Sequence, residues 1–327
     1  MNLIDSHGRA IHYVRLAVTD RCNLRCTYCM PSQGIDFVSR NKLLSYEEMI
    51  RLLKILNTLG VNKLRITGGE PLVRKGLLPF LSRVNEEGIM PGFHLTTNAT
   101  LTLEHSQDLI SAGLRSVNIS LDSLDNERFK EITRRDSLDQ VLASINDFYQ
   151  NDVPIKINMV VTKGLNEKDI IPMAKLAEHR NIQVRFLEEM PFNGGNGSKT
   201  TFFTHHDIKA ILDSELPKLS PIAFQPGETS QNFHVQGWKG DVGIIASYSR
   251  TFCGSCNRIR ITPTGKLKTC LYGSDALDLR ELLRNGSSDV EIQIAIQHAV
   301  SHKPKDGFEA EANRFGIISE SMATIGG

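Results

Sequence analysis

The sequence predicts an α/β fold, a partial (β/α)6 TIM-like barrel followed by a C-terminal α+β extension. Three observations lead to this prediction. Short β-rich runs alternate with longer amphipathic segments up to residue 188. A Gly- and Ser-rich stretch without periodicity follows at residues 191–200. Beyond it, short β segments are mixed with helices.

Six runs are expected to form strands, at residues 14–18, 63–67, 93–97, 116–121, 155–161 and 182–188. Helical patterns lie between them, for example at 45–60 and 137–150. In the first of these, Ser45 and Glu48 make a capping box and Gly60 offers a stop. Repeated strand–helix–strand units need right-handed crossovers, which wind parallel strands into a barrel or an open sheet. Six units are fewer than the eight of a complete barrel, so a partial barrel is preferred and a doubly wound sheet stays open.

The Gly- and Ser-rich stretch reads as a linker, which places a domain boundary between residues 1–192 and 193–327. In the second region a helix is expected near 205–215, β segments at 232–238, 242–247 and 258–262, and helices near 277–284 and 288–302.

Composition excludes several classes of function. The formal net charge is +1 and lysine or arginine blocks are absent from the sequence, so nucleic acid is not an expected partner. No apolar run approaches the roughly 18 residues of a membrane span, and the N-terminus lacks the features of a secretory signal. We therefore expect a cytoplasmic protein, in which thiols stay reduced. Its six cysteines form two triplets far apart in the chain, which indicates metal binding or catalysis.

The first triplet comprises Cys22, Cys26 and Cys29, with three and two intervening residues, directly after the first predicted strand. Thiolates are the soft ligands that iron-sulfur clusters require. Three of them leave one iron of a [4Fe-4S] cluster without a protein ligand, and an open position suits a site that activates a substrate. The alternative is a structural zinc ion with a distant fourth ligand.

This spacing, with Tyr28 before the last cysteine, resembles the signature of the radical SAM superfamily. The resemblance implies that the vacant iron binds S-adenosylmethionine (SAM) and that electron transfer yields a 5'-deoxyadenosyl radical. It also assigns the motif at residues 68–71, Gly-Gly-Glu-Pro, to the SAM amino group, although an ordinary strand-to-helix turn is the alternative. By resemblance, the SAM contacts are Tyr28, Gly69, Ser120 and Met190.

The second triplet comprises Cys253, Cys256 and Cys270, which flank a predicted hairpin that turns at residues 263–265. Spacing alone allows a zinc site or a second iron-sulfur cluster, and the first triplet favours the cluster. Arg258 and Arg260 alternate on the β pattern, so their side chains leave one face and could bind an anion. A solvated edge strand is the other interpretation.

Together the motifs resemble the GTP 3',8-cyclase family, which catalyses the first step of molybdenum cofactor biosynthesis. The matching segments are CNLRCTYCMP, RITGGEPL, the cysteine hairpin and the terminal Ile325, Gly326 and Gly327. One position departs from the family pattern, because Ala99 stands where glycine is usual. Another radical SAM enzyme, such as one that modifies a peptide, is the competing interpretation, and a non-catalytic metal-binding protein is a further one.

The family resemblance implies a set of residue roles. The residues expected to bind GTP are Arg15, Arg65, Thr96, Lys156, Arg258 and Arg260, with Lys63 and Arg185 as additions. Arg258, Arg260, Gly326 and Gly327 are expected to act in catalysis, the two glycines by entering the active site. A second [4Fe-4S] cluster is expected to hold the guanine.

The same resemblance implies a reaction and partners. The radical would abstract the ribose H3' of GTP, and C3' would bond to C8 of guanine, giving (8S)-3',8-cyclo-7,8-dihydroguanosine 5'-triphosphate. An external one-electron reductant, a homodimeric state and a downstream cyclic pyranopterin monophosphate synthase are the expected partners.

Overall fold

The computed structural model describes residues 2–192, 203–314 and 320–326. Its strands are β1 (Tyr13–Ala17), β2 (Lys63–Thr67), β3 (Phe93–Thr97), β4 (Leu114–Ser120), β5 (Ile155–Val161), β6 (Gln183–Glu188), β7 (Leu219–Pro221), β8 (Gln231–Val235), β9 (Asp241–Ile245), β10 (Arg258–Ile261), β11 (Lys266–Lys268) and β12 (Leu277–Asp278). The six strands predicted in the first region are β1–β6, each displaced by two residues or fewer.

Helices connect the strands. They are α1 (Tyr46–Thr58), α2 (Leu77–Glu86), α3 (Ser106–Ser111), α4 (Asn126–Thr133), α5 (Leu138–Gln150), α6 (Ile170–Ala174), α7 (His205–Glu215), α8 (Leu279–Arg284), α9 (Asp289–Ser301), α10 (Gly307–Ala312) and α11 (Met322–Ile325). The predicted capping box of α1 is confirmed, because Ser45 Oγ accepts from the Glu48 amide and the Glu48 carboxylate accepts from the Ser45 amide. None of the helices in the described ranges is both long and apolar enough to cross a bilayer.

The twelve strands of the described ranges belong to one sheet, in the order β12-β11-β10-β1-β2-β3-β4-β5-β6-β9-β8-β7. Strands β1–β6 are parallel and follow one another in chain order. The order does not reverse within β1–β6, and such a reversal is what defines a doubly wound sheet. The fold is therefore α/β with a parallel central sheet.

The C-terminal strands extend both edges of this sheet. β10 pairs parallel with β1, and β9 pairs parallel with β6. The hairpin predicted around residues 263–265 is confirmed as the antiparallel pair β10–β11. The predicted α+β extension thus shares its sheet with the preceding region, because its strands supply the neighbours that the outer parallel strands would otherwise lack. The predicted linker at 191–200 falls mostly outside the described residues.

Apolar side chains of the helices pack against the sheet in one large core. Alternating residues of β5 show the pattern, with Ile157, Met159 and Val161 buried and their neighbours half-buried. Since successive side chains of a strand point to opposite faces, one face of β5 meets the helices and the other carries Lys156 and Asn158. The same alternation in the other parallel strands leaves their polar residues on a shared face.

Candidate active site

One cavity of about 500 Å³ is lined by side chains from all six parallel strands and from loops at their carboxyl ends. Both cysteine triplets line it. So do all the other residues of the first 270 that the sequence singled out as contacts, namely Arg15, Tyr28, Lys63, Arg65, Gly69, Thr96, Ser120, Lys156, Arg185, Met190, Arg258 and Arg260. The sequence therefore identified residues that lie more than 200 positions apart in the chain and share one cavity.

The first cysteine loop follows β1 and is held on several sides. Backbone hydrogen bonds tie it to the C-terminal end of α4. Within the loop, the Cys29 amide donates to the Cys26 carbonyl at 3.0 Å. Asn98, directly after β3, donates from Nδ2 to Cys22 Sγ at 3.7 Å. These contacts fix the three thiols against one end of the cavity.

Gly69 brings the turn after β2 against the start of this loop. Its amide donates to the Thr19 carbonyl at 2.8 Å, and a Cβ at Gly69 would lie only 2.2 Å from the Arg21 carbonyl oxygen. No side chain fits such an approach of two backbones. The next residues form a short 3-10 helix at Pro71–Val73, so the motif is a strand-to-helix turn as well as part of the cavity wall.

The cysteines of the first triplet are partly buried and line the cavity. Burial, assisted by the Glu70 carboxylate, raises the pKa of Cys22 to about 12. Burial also raises the pKa of Cys26 well above its usual value, with Asp122 adding to the effect, and raises that of Cys29. Within the described ranges, no group of three or more His, Cys, Asp or Glu side chains converges closely enough to hold a metal ion directly. The fit to a cluster rests on three soft donors at one cavity end, where a positive charge would stabilise their thiolates.

The predicted SAM contacts share the cavity with this loop, and Tyr28 belongs to the loop itself. Ser120 is the last residue of β4, and Met190 lies two residues beyond β6. Tyr28 Oη donates to Asp122 Oδ2 at 2.8 Å, a contact that the sequence analysis missed. Burial raises the pKa of Asp122 to about 6. The position of Asp122 just past a strand that ends in the cavity was the only sequence signal for it.

Cations lie in two rows across β2, β1 and β10. In the first row, Tyr13 of β1 pairs with Lys63 and with Arg258; in the second, Arg15 pairs with Arg65 and with Arg260. Burial lowers the pKa of Arg15 well below its usual value, and Arg260 adds to this effect. Burial and the neighbouring Arg258 lower the pKa of Arg260 to about 10. So many buried like charges indicate a site for a polyanion.

The cationic surface continues onto β5 and β6. Burial, together with Arg185, lowers the pKa of Lys156 to about 8. Burial, together with Arg65, lowers the pKa of Arg185 to about 9. Arg185 Nε donates to Asn158 Oδ1 at 2.9 Å, which orients its guanidinium. The edge-strand interpretation of Arg258 and Arg260 is wrong, because β10 lies between β11 and β1.

The second cysteine triplet lines the cavity from the β10 side. Cys253 and Cys256 belong to a tight turn before β10, and Cys270 lies two residues past β11. Lys303, which the sequence analysis missed, is buried and donates to the Thr269 and Arg258 carbonyls, so it bridges the two parts of the triplet. Burial raises the pKa of Cys256, but Lys303 and Arg258 outweigh it and lower that pKa to about 7.

The chain end reaches the same cavity. Met322 and Ala323 line it, and Arg260 Nη1 donates to the Gly326 carbonyl at 2.6 Å. Ser321 Oγ donates to the Cys29 carbonyl at 2.8 Å. The tail thus contacts the first cysteine loop and the cation rows together. Gly327 lies outside the described residues.

Comparison with known proteins agrees with this geometry. Residues 16–177 match the family description "Radical SAM superfamily", and residues 182–309 match "Molybdenum Cofactor Synthesis C". A Geobacter sulfurreducens protein named GTP 3',8-cyclase is 41% identical, with 100% of both chains covered. The chain belongs to the GTP 3',8-cyclase family. The resemblance seen in the sequence is therefore confirmed.

Two other relatives are similar to this chain over most of its length. A GTP 3',8-cyclase of Clostridium perfringens SM101 is 39% identical over 92% of this chain and 93% of its own length. Molybdenum cofactor biosynthesis protein 1 of Dictyostelium discoideum is 40% identical over 92% of this chain, which spans only 48% of that protein.

Among solved structures, Streptococcus suis SuiB bound to S-adenosylmethionine has a TM-score of 0.55 and 14% identity, with 90% of this chain and 71% of that chain covered. SuiB bound to its precursor peptide SuiA gives the same TM-score and identity, with 84% and 65% covered. At this identity the likeness shows a shared fold alone, which supports the α/β assignment of the cyclase-family chain.

Proposed function

We propose that the chain is a GTP 3',8-cyclase that converts GTP to (8S)-3',8-cyclo-7,8-dihydroguanosine 5'-triphosphate in molybdenum cofactor biosynthesis. The observation that carries this proposal is a single cavity in which two cysteine triplets flank two rows of cations. The relatives named for this activity match over nearly the whole chain. A radical enzyme that acts on a nucleoside triphosphate needs both features within one enclosed space.

Cys22, Cys26 and Cys29 would hold a [4Fe-4S] cluster, as their place on one loop of the cavity wall supports. When bound, the cluster and SAM supply the oxidising radical for the reaction. The chain's own contribution is to fix the loop through Gly69 and Asn98.

Tyr28, Gly69, Ser120 and Met190 are proposed to contact SAM. All four line the same cavity as the first triplet. The bond from Tyr28 to Asp122 holds the tyrosine ring in place, because the phenol donates to a buried carboxylate. Gly69 belongs to the cavity wall because the absence of a side chain lets its backbone pack on the Arg21 carbonyl.

The triphosphate of GTP would lie against the two cation rows. Arg15, Arg65, Thr96, Lys156, Arg258 and Arg260 are the proposed contacts, with Lys63 and Arg185 beside them. Arg258 supports this assignment because its buried Nε and Nη2 have no hydrogen-bond partner among the described residues. Buried donors of this kind need partners, and phosphate oxygens would supply them.

Cys253, Cys256 and Cys270 are proposed to hold the second [4Fe-4S] cluster, next to the guanine. Cations at Lys303 and Arg258 favour the thiolate form of Cys256, which is the form that ligates metal. The spacing alone allowed zinc, so metal analysis has to separate the two. Arg260 and the terminal Gly326 and Gly327 are proposed to close on the reacting ribose, as the Arg260 to Gly326 bond suggests.

Several further features belong to the same proposal. The parallel strands β1–β6 are proposed to curve into a partial barrel, with domains at 1–192 and 193–327. A cytoplasmic location is supported by six free cysteines. A homodimeric state, an external one-electron reductant and a downstream cyclic pyranopterin monophosphate synthase complete the proposal.

The test is anaerobic reconstitution with iron and sulfide, followed by incubation with SAM, dithionite and GTP. We expect 5'-deoxyadenosine and a cyclised nucleotide with the same mass as GTP, because the hydrogen atom lost from C3' is balanced by one electron and one proton gained. Chromatography before mass spectrometry separates this isomer from GTP. ATP serves as the control substrate. Formation of 5'-deoxyadenosine without any GTP-derived product would indicate a radical SAM enzyme with another substrate, and zinc without SAM cleavage would contradict the proposal entirely.

A further inference from the structure

Tyr13 is the one phenol among the cation rows. It begins β1, pairs in register with Lys63 on β2 and with Arg258 on β10, and leaves only 8% of its surface exposed. Arg15 lies two residues further along β1 and therefore on the same face. The proposed mechanism assigns no role to Tyr13, although it lines the cavity.

The Tyr13 hydroxyl contacts Arg65, which belongs to the second cation row. Arg65 Nε donates to Tyr13 Oη at 2.6 Å, and Arg65 Nη1 donates to the Leu95 carbonyl at 2.8 Å. These two bonds fix the plane of the Arg65 guanidinium. In addition, Lys63 Nζ lies 5.0 Å from the centre of the Tyr13 ring. The phenol oxygen is thus the acceptor that orients a buried arginine.

Charged groups face Tyr13 from every strand that packs against it. They are Arg15 on its own strand, Lys63 and Arg65 on β2, Arg258 and Arg260 on β10, and Arg185 on β6. Burial by itself raises the pKa of Tyr13, but Arg65 and Arg15 outweigh it and lower this pKa to about 7. A negative oxygen at this point offsets part of the repulsion among the cations.

We propose that Tyr13 is a further residue of the polyphosphate subsite, which positions Arg65 and takes up a proton from solvent when the anionic chain of the nucleotide binds. The inference rests on the proposed function, since it needs a polyanion against these rows. In the free protein the phenolate is the counter-charge of the cations. Once phosphates neutralise the same cations, the phenolate loses its stabilisation, and a solvent proton bonds to Oη.

The sign of the linkage follows from this exchange. Below pH 7 Tyr13 is already protonated, so binding takes up no proton through it. Above pH 7 each binding event takes up as much as one proton, and nucleotide affinity falls by as much as about tenfold per pH unit. Lys156 and the terminal phosphate also titrate on binding. Their contributions are common to wild type and to a Tyr13 variant, and they cancel in the difference.

The experiment compares wild type with Tyr13→Phe, which removes only the hydroxyl. Titration calorimetry of the anaerobically reconstituted proteins with GTP, and with inorganic tripolyphosphate, in two buffers of different ionisation enthalpy gives the protons taken up. We expect uptake at pH 8 to exceed that at pH 6 in wild type, and Tyr13→Phe to lose this excess. At pH 6, where Tyr13 is protonated in wild type, Tyr13→Phe should bind more weakly because it lacks the bond that positions Arg65. Tyr46→Phe is the matched control, because Tyr46 has an arginine 4.2 Å from its ring but lies outside the cavity.

The outcomes separate the two proposals. Absence of GTP binding by well-folded wild type would overturn the proposed function. GTP binding with the same pH-dependent uptake in wild type and Tyr13→Phe would overturn the role of Tyr13 alone. Equal melting temperatures for Tyr13→Phe and wild type establish that any loss is not unfolding.

Discussion

Arg260 and Gly326 join the chain's end to its active site, through a hydrogen bond of 2.6 Å from the guanidinium to the glycine carbonyl. Gly326 has φ of 76°, and a Cβ there would lie 2.8 Å from Thr67 Oγ1 and 2.9 Å from the Ala17 Cβ. Ala17 on β1 pairs with Thr67 on β2. This pair lies two residues beyond the Arg15–Arg65 pair, toward the first cysteine loop. The tail therefore fills the space between the proposed phosphate and SAM sites.

Replacing Gly326 with alanine should displace the tail, because both the positive φ and the contact with β1 and β2 oppose a side chain. We expect Gly326→Ala to lose at least about 90% of cyclised product while SAM binding persists, since a loss of roughly 1.4 kcal/mol in tail docking is tenfold. Product is measured by mass spectrometry and SAM binding by calorimetry. Gly8→Ala is the control, because Gly8 has a similar φ of 75° with nothing within 4 Å. Unchanged turnover in Gly326→Ala would remove the tail from the mechanism.

Arg258 is expected to dominate triphosphate affinity, because two of its buried donor atoms have no partner in the described part of the chain. Arg258→Ala should weaken GTP binding by about tenfold to a hundredfold, the range for hydrogen bonds to charged groups. Arg258→Lys should recover only part of this loss, since lysine lacks the planar fork. Calorimetry measures both dissociation constants. Arg83→Ala is the control, because Arg83 is half-exposed and pairs with Glu87 on the surface; an equal effect there would refute a specific role for Arg258.

The parallel strands were readable from sequence because each is a short apolar run between helical patterns. The pairing of these strands with the C-terminal strands could not be predicted from the sequence. Tyr13 and Arg258 are adjacent in the sheet but 245 positions apart, and no local periodicity records such a pairing. Short strands such as Leu219–Pro221 also escaped, since three residues carry no alternation that can be counted.

The same distinction separates the site residues. Cysteines at fixed spacing and alternating arginines carry their own pattern, whereas Asp122 and Lys303 are single residues that tertiary burial brings to the site. Ala99 stands where the family usually has glycine, and its φ of 59° explains why glycine is usual at this position. That backbone region favours glycine, but the Ala99 methyl is fully buried and the Ala99 amide donates a hydrogen bond to Thr97 Oγ1.

His94 makes stability depend on pH. Burial, together with the Arg65 and Lys63 charges, lowers its pKa from 6.5 to about 3. Between pH 6.5 and pH 3 the folded protein therefore binds fewer protons than the unfolded chain. The contribution of His94 to the free energy of unfolding is fully present above pH 6.5 and is lost as pH falls toward 3. We expect the free energy of unfolding to decline less between pH 7 and pH 5 in His94→Asn than in wild type. Urea denaturation measures it, and equal slopes would show that His94 is not the source.

Removal of the first cysteine triplet should abolish SAM cleavage and removal of the second should not, although both triplets line one cavity. We expect Cys22→Ala/Cys26→Ala/Cys29→Ala to lose about four of about eight irons per chain, and with them all SAM cleavage. Cys253→Ala/Cys256→Ala/Cys270→Ala should lose a similar amount of iron. It should still cleave SAM, because the first loop is fixed by Asn98 and the Gly69 turn and not by the second triplet.

Iron analysis and the yield of 5'-deoxyadenosine separate the two variants, with cyclised nucleotide as the third readout. The second variant should form 5'-deoxyadenosine without cyclising GTP, since the nucleotide would lack its proposed guanine site. Zinc in place of iron at the second triplet, with cyclisation intact, would contradict the assignment of that site. Loss of SAM cleavage in both variants, with both proteins folded by circular dichroism, would show instead that the two loops act as one unit.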